Sequence, residues 1–181
     1  VAIVVDATPG GLTSNSYVTV AEAADYVNIY VLDEAARDVW LDLDTDDKSR
    51  LLIQATRQLD WYFCWQGERT NQQQALEWPR YQVYRDSYPI PQDEIPWEIK
   101  HATIEEALWL QTIGDNTPLA GNALIDEVEV GEIRVNFNEK ANQSKIYVPD
   151  KIAAIINGFG EIEAPSVPTS GMAKNISLVR A

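Results

Sequence analysis

The chain has 181 residues, 45% of them hydrophobic, and carries a formal net charge of −14. That length suffices for one domain with a true core and leaves room for an appendage, and no run approaches the ~18 to 20 apolar residues of a membrane span. Cys64 is the only cysteine, which excludes an internal disulfide and a cysteine-based zinc site and suits intracellular assembly, while so acidic a surface repels phosphate backbones unless a local basic patch exists.

The opening VAIVV has no basic region before it and runs directly into Asp6, so it reads as a strand over residues 1 to 5 rather than a signal peptide. The turn-rich DATPGGLTSNS follows. Thr19 and Glu22 then form a capping-box pattern, with apolar residues at Val20, Ala23, Ala24 and Val27 behind it, which predicts a first helix. DEAARDVWLDL reads as a short second helix. A stronger third starts at Asp46 or Asp47, with Leu51, Leu52, Ala55, Leu59, Tyr62 and Phe63 on one face.

Asp42, Asp44 and Asp46 alternate as in a calcium loop, but Asp47 occupies the position of the turn glycine and Ile53 that of the bidentate glutamate. These acids are better read as a helix cap and first turn.

Between Gly67 and Pro96, prolines at 79, 89, 91 and 96 forbid one long helix. After Pro96, WEIKHATIEEALWLQTIG is helical, and its apolar residues spread wider than one stripe. A helix covered on more than one side is expected, in a bundle or against a neighbouring subunit. In EVEVGEIRVNF a turn at Gly131 and Glu132 sets Val130 opposite Ile133 and Val128 opposite Val135, with Glu129 facing Arg134. The register is self-consistent, so a hairpin is predicted over residues 127–137. A last helix, PDKIAAIING, ends near Gly158.

Residues 1–158 therefore read as a mainly α domain, a small helical bundle with a β-hairpin. Residues 159–181 have no helical period and two prolines. They read as an extended C-terminal arm that binds a partner through Ile162, Val167, Ile176, Leu178 and Val179; a solvated tail is the plainer alternative.

No catalytic constellation emerges. His101 is the only histidine and has no partner identifiable from sequence. Glu105 and Glu106 are sequential and point to different parts of their helix. No phosphate-cradling glycine loop and no nucleophile elbow occurs. The expectation is a protein that is not an enzyme and has no cofactor or metal.

One stretch, QALEWPRYQVYR, suits nucleic acid in residue type, because rings stack on bases while guanidinium groups meet phosphates. From residue 50 to 90, however, five arginines face four acids and there is no lysine. A phosphate-binding stripe needs a clear cationic excess. The alternative is a structural clasp of Trp65, Gly67, Trp78, Pro79 and Arg80. In it Gly67 caps a helix C-terminus, Pro79 forces Trp78 out of helical geometry, and Arg80 meets exposed carbonyls, pairs with an acid or stacks on a tryptophan.

The segments NSYVTVAEAADY, LLIQATRQLD, WQG, QALEWPR, IPQDEIPWEIKHAT and VEVGEIRV occur in that order between residues 15 and 135, and their order and spacing cover most of residues 12 to 158. Together they resemble a family of short tailed-phage proteins labelled DnaT-like single-stranded-DNA-binding proteins, similar in fold and gene position to head–tail adaptors (head completion or connector proteins). The resemblance implies a helical bundle with a protruding hairpin and an arm, assembled as a homo-oligomeric ring, twelvefold if it matches the portal. It further implies partners in the portal protein and a tail or neck protein, with double-stranded DNA passing through unbound. Such a protein is assembled in the host cytoplasm, resides in the virion neck and touches no membrane. The family label points instead to a single-stranded-DNA-binding module over residues 78–85, using Trp78, Arg80, Tyr81, Tyr84 and Arg85.

Overall fold

Helix α1 (Val20–Tyr30) begins at the predicted capping box: Thr19 accepts from the Glu22 N–H, and the Glu22 carboxylate accepts from the Thr19 N–H. The computed structural model describes residues 2–113, 119–120, 127–130, 133–136, 145–146 and 148–162. Asp33 caps α2 (Glu34–Asp42) and Asp44 caps α3 (Thr45–Tyr62). Of the alternating aspartates, Asp42 ends α2 while Asp44 and Asp46 serve the α3 N-terminus, with Asp46 and Asp47 in its positively polarised first turn. Helices α4 (Trp97–Ile113) and α5 (Asp150–Ile155) complete the helices among the described residues.

The fold is mainly α with short antiparallel strand pairs. In chain order the strands are β1 (Phe63–Trp65), β2 (Glu68–Arg69), β3 (Arg80–Tyr81), β4 (Tyr84–Arg85), β5 (Tyr88–Pro89), β6 (Leu119–Ala120), β7 (Glu127–Val130), β8 (Ile133–Asn136), β9 (Lys145–Ile146) and β10 (Gly160–Ile162). β7 and β8 pair in the predicted register, Val128 with Val135, Glu129 with Arg134 and Val130 with Ile133. The predicted turn glycine, Gly131, lies outside the described residues.

Helix α4 is the centre of the bundle, packing on α1, α2, α3 and α5. This explains its wide apolar spread, since Ile99, Ala102, Ile104, Ala107 and Leu110 face different neighbours and are all buried. Two clusters lie along the α3–α4 pair. One gathers Leu52, Ala55, Ile104, Ala107 and Leu110 with Val27 and Trp40; the other gathers Leu59, Phe63, Ile99 and Ala102 with Trp65, Trp78, Ile152 and Phe159. Pairing α3's later residues with α4's earlier ones makes the two helices antiparallel. Tyr26 of α1 and Lys151 of α5 both donate to Oε1 of Glu105 on α4, each at 2.6 Å, which ties three helices at one partly desolvated carboxylate.

Three expectations are corrected. Residues 2 to 5 form no strand. The segment is instead held by a bond from the Ile3 N–H to Asp46 Oδ1 (3.1 Å), a side-chain acceptor 43 positions along the chain that takes the place of a sheet edge. α5 is shorter than predicted and is capped by Ile156, with Gly158 two residues further on at φ +92°. Gly67 caps no helix, because α3 gives way to extended backbone already at Phe63.

The segment predicted as an arm begins within the body. Phe159 is fully buried, and β10 pairs with β1, setting Ile162 opposite Phe63 and Gly160 opposite Trp65. Val167, Ile176, Leu178 and Val179 lie outside the described residues.

Candidate functional site

The structure brings the five clasp residues together. Trp78, joined to Pro79 by a cis peptide bond, is buried edge-on against Trp65 and Phe159, each with ring centroids 5.8 Å away. Gly67 lies between β1 and β2 at φ +67°, where a side chain would collide with the Tyr81 carbonyl oxygen. Only glycine combines that backbone conformation with that close approach.

Arg80 closes the arrangement. Its Nε donates to the Gln66 carbonyl (2.7 Å), and its Nη2 to the carbonyls of Gly67 (2.7 Å) and Trp65 (3.5 Å). Nη1 donates to the Glu77 carbonyl (3.2 Å) and carboxylate (2.6 Å). These bonds match the five donors of a guanidinium group, and the residue is only 8% exposed. The carbonyls of residues 65 to 67, left without helical partners where α3 ends, are what the charge satisfies.

Behind the clasp, Asp60 on α3 accepts from the Tyr17 hydroxyl, from Trp65 Nε1 (3.3 Å) and from the Glu77 N–H (3.3 Å). The Trp78 N–H in turn donates to the Tyr17 hydroxyl oxygen (3.3 Å). Burial pushes the Asp60 carboxyl up to about 6, against the lowering effect of these donors. Burial and the neighbouring Asp60 carboxylate push the Tyr17 phenol well above its ordinary value. Both residues lie inside recognisable segments, NSYVTV and RQLD, yet nothing in their spacing shows that they meet.

Two other groups stand apart. Glu106 is buried on α4 with Oε2 unpartnered, and burial alone pushes it up to about 7. His101 lies among rings, with centroids 4.6 Å from Tyr26, 5.4 Å from Tyr30 and 5.0 Å from Trp97. Burial pushes its imidazole below the ordinary value. Among the described residues, no three His, Cys, Asp or Glu side chains are grouped to hold a metal ion.

The residues proposed for single-stranded DNA do not form one exposed face. Trp78 and Arg80 are interior. The Tyr81 hydroxyl donates to Glu68, and Arg85 is paired with Glu98 and lies 5.4 Å from the centroid of the Phe159 ring. Tyr84 is exposed. Other exposed rings are Tyr88, Trp97 and Trp61, the last with the Arg57 guanidinium 4.8 Å from its centroid. Composition could not separate these from the buried rings, because burial follows from the element and face each occupies in the fold.

A family model described as "Putative DnaT-like ssDNA binding protein" matches residues 1–181. No curated protein and no solved structure matches the chain.

Proposed function

Starting from a chain that belongs to the DnaT-like ssDNA-binding protein family, we propose that it is a structural head–tail adaptor of a tailed phage. In this reading copies form a ring on the portal vertex, joined on the other side to a tail or neck protein. Double-stranded DNA passes through the ring without specific binding. The chain acts by assembly, without catalysis or a cofactor.

The observation that carries the proposal is the engagement of Arg80. All its donors are taken by the protein's own carbonyls and one carboxylate, so the central arginine of the most nucleic-acid-like stretch of the sequence is an internal brace. A net charge of −14 supports the same reading, because walls that do not attract phosphate let DNA pass. A hairpin can add strand edges to a neighbour, and many weak copies of one contact become strong in a closed ring.

A second reading, single-stranded-DNA binding, is favoured by the description of the family itself. Its carriers would be the exposed rings Trp61, Tyr84, Tyr88 and Trp97 with Arg57, rather than Trp78 and Arg80. One pair of measurements separates the two. Electron microscopy of the full chain mixed with portal rings is expected to show added ring density, and labelled oligonucleotide is expected to stay unbound at micromolar protein and physiological salt. Bare portal rings together with salt-dependent oligonucleotide binding would reverse the assignment.

A further inference from the structure

A pocket of about 230 Å³ opens between α1 and the N-terminal half of α4. Tyr26 and Tyr30 line it from α1, and Trp97 and His101 line it from α4. Tyr26 is buried, but the Tyr30 and Trp97 rings are 55% and 60% exposed, so each has surface open to a ligand. The charges around these rings are unbalanced. Glu22 closes the α1 capping box and pairs with Lys100 at 2.5 Å. Asp25, one turn further on, lines the same pocket and is exposed, and its carboxylate has no ion pair or hydrogen bond among the described residues. Burial holds the His101 imidazole below its ordinary value, so at neutral pH it adds no opposing charge.

Aromatic faces beside an unneutralised carboxylate suit a cation, and size and shape narrow which one. The pocket's 230 Å³ falls below the ~300 Å³ at which sites for whole small molecules begin, so a single side chain fits it better. A guanidinium group is planar, stacks on a ring and presents a fork of donors to a carboxylate. An ammonium group is a compact, strongly hydrated point charge and cannot stack.

The chain's own arginines point to the source. Arg37, Arg50, Arg69 and Arg85 each lie beside a carboxylate, Arg80 is enclosed by carbonyls and Glu77, and Arg57 lies over Trp61. A second copy has none of these to offer, whereas a net charge of −14 attracts a basic partner. We propose that the α1–α4 pocket receives an arginine side chain of a different, basic protein, with Asp25 as its counter-charge and Trp97 and Tyr30 as its stacking faces. The proposal goes beyond the adaptor reading and does not depend on ring formation.

Nuclear magnetic resonance of the full chain tests it, because the Cε1–H signal of the only histidine arises in the pocket itself. The probe is N-acetyl-arginine amide, titrated at neutral pH and constant ionic strength, and a saturable shift is expected. Asp25→Asn and Trp97→Ala, both at exposed positions, should each weaken it by about two- to fivefold, the size of an exposed ion pair or cation–π contact. The lysine amide should bind more weakly, and the uncharged citrulline amide should give no shift. Absence of a saturable arginine shift overturns the proposal, as does a shift that survives both substitutions or is matched by the lysine or citrulline amide. A shift with oligothymidylate in place of arginine overturns it in favour of base stacking. A shift on concentrating the protein alone gives the pocket to a second copy and overturns it too. All of these outcomes are read without portal rings, so they leave the test of the adaptor reading separate.

Discussion

Tyr17 donates its phenolic hydrogen to Asp60, 43 positions further along the chain, and its oxygen accepts the backbone N–H of Trp78. One hydroxyl therefore joins the N-terminal loop, helix α3 and the clasp. Tyr17→Phe keeps the ring but leaves the Trp78 N–H without its acceptor and Asp60 with one donor fewer. A loss of about 1 to 3 kcal/mol is expected from an unpaired buried donor, read as a lower urea midpoint with an unchanged slope.

Glu106 gives a pH dependence with a defined sign. Its carboxyl titrates near 7 in the fold, raised from an ordinary value of 4.5 by burial. A group raised on folding contributes stability below its unfolded value, and that contribution is lost as pH rises through the folded one. The window is therefore about pH 4.5 to 7, and its depth is on the order of 3 kcal/mol at ~1.4 kcal/mol per unit. Glu106→Gln is expected to be nearly neutral at pH 4.5 and stabilising at pH 8. Denaturant melts across that range check it, and equal effects at both ends would refute the assignment.

Arg80→Ala removes the partner of four carbonyls and of the Glu77 carboxylate together. About 3 kcal/mol of stability should go with it, at the upper end for bonds to a charged donor. Arg80→Lys should recover only part of this, because an ammonium group cannot span the carbonyls that the planar fork reaches. Thermal melts of the two variants order them, and a lysine variant as stable as the native chain would count against the brace.

Trp61, Tyr84, Tyr88 and Trp97 are each more than half exposed. Replacing them singly with alanine should change stability by no more than about 0.5 kcal/mol. Under the adaptor reading it should also leave oligonucleotide behaviour unchanged. A loss of binding of about 1 to 3 kcal/mol per ring would instead identify a stacking surface, measured by fluorescence anisotropy.

The helical frame was legible because its signals are local. Thr19 and Glu22 sit three residues apart and find each other whatever the rest of the chain does. The breadth of apolar residues on α4 likewise announced a helix enclosed on several sides. The Val128–Val135 register needed only a period of two. The clasp was legible in membership and in the kind of bond Arg80 makes, to carbonyls and an acid, but not in which carbonyls it meets. That Arg80 would turn inward depends on carbonyls 13 to 15 residues earlier, and those are open only because α3 stops at Tyr62. The N-terminal segment shows the reverse failure. VAIVV has the composition of a strand, but a backbone donor takes the nearest good acceptor, and for Ile3 that is Asp46. The burial of Asp60 beside Tyr17 had no signal at all in a chain read one segment at a time.

Phe159 and the β1–β10 pairing also decide where tension goes. The last described strand is stitched to residues 63–65, and the buried Phe159 ring just before it lies against Trp78. Any load on the C-terminal segment therefore reaches the interior through three paired residues and one aromatic plug. The joint that anchors the chain at Ile162 is the same joint that packs on the tryptophan clasp.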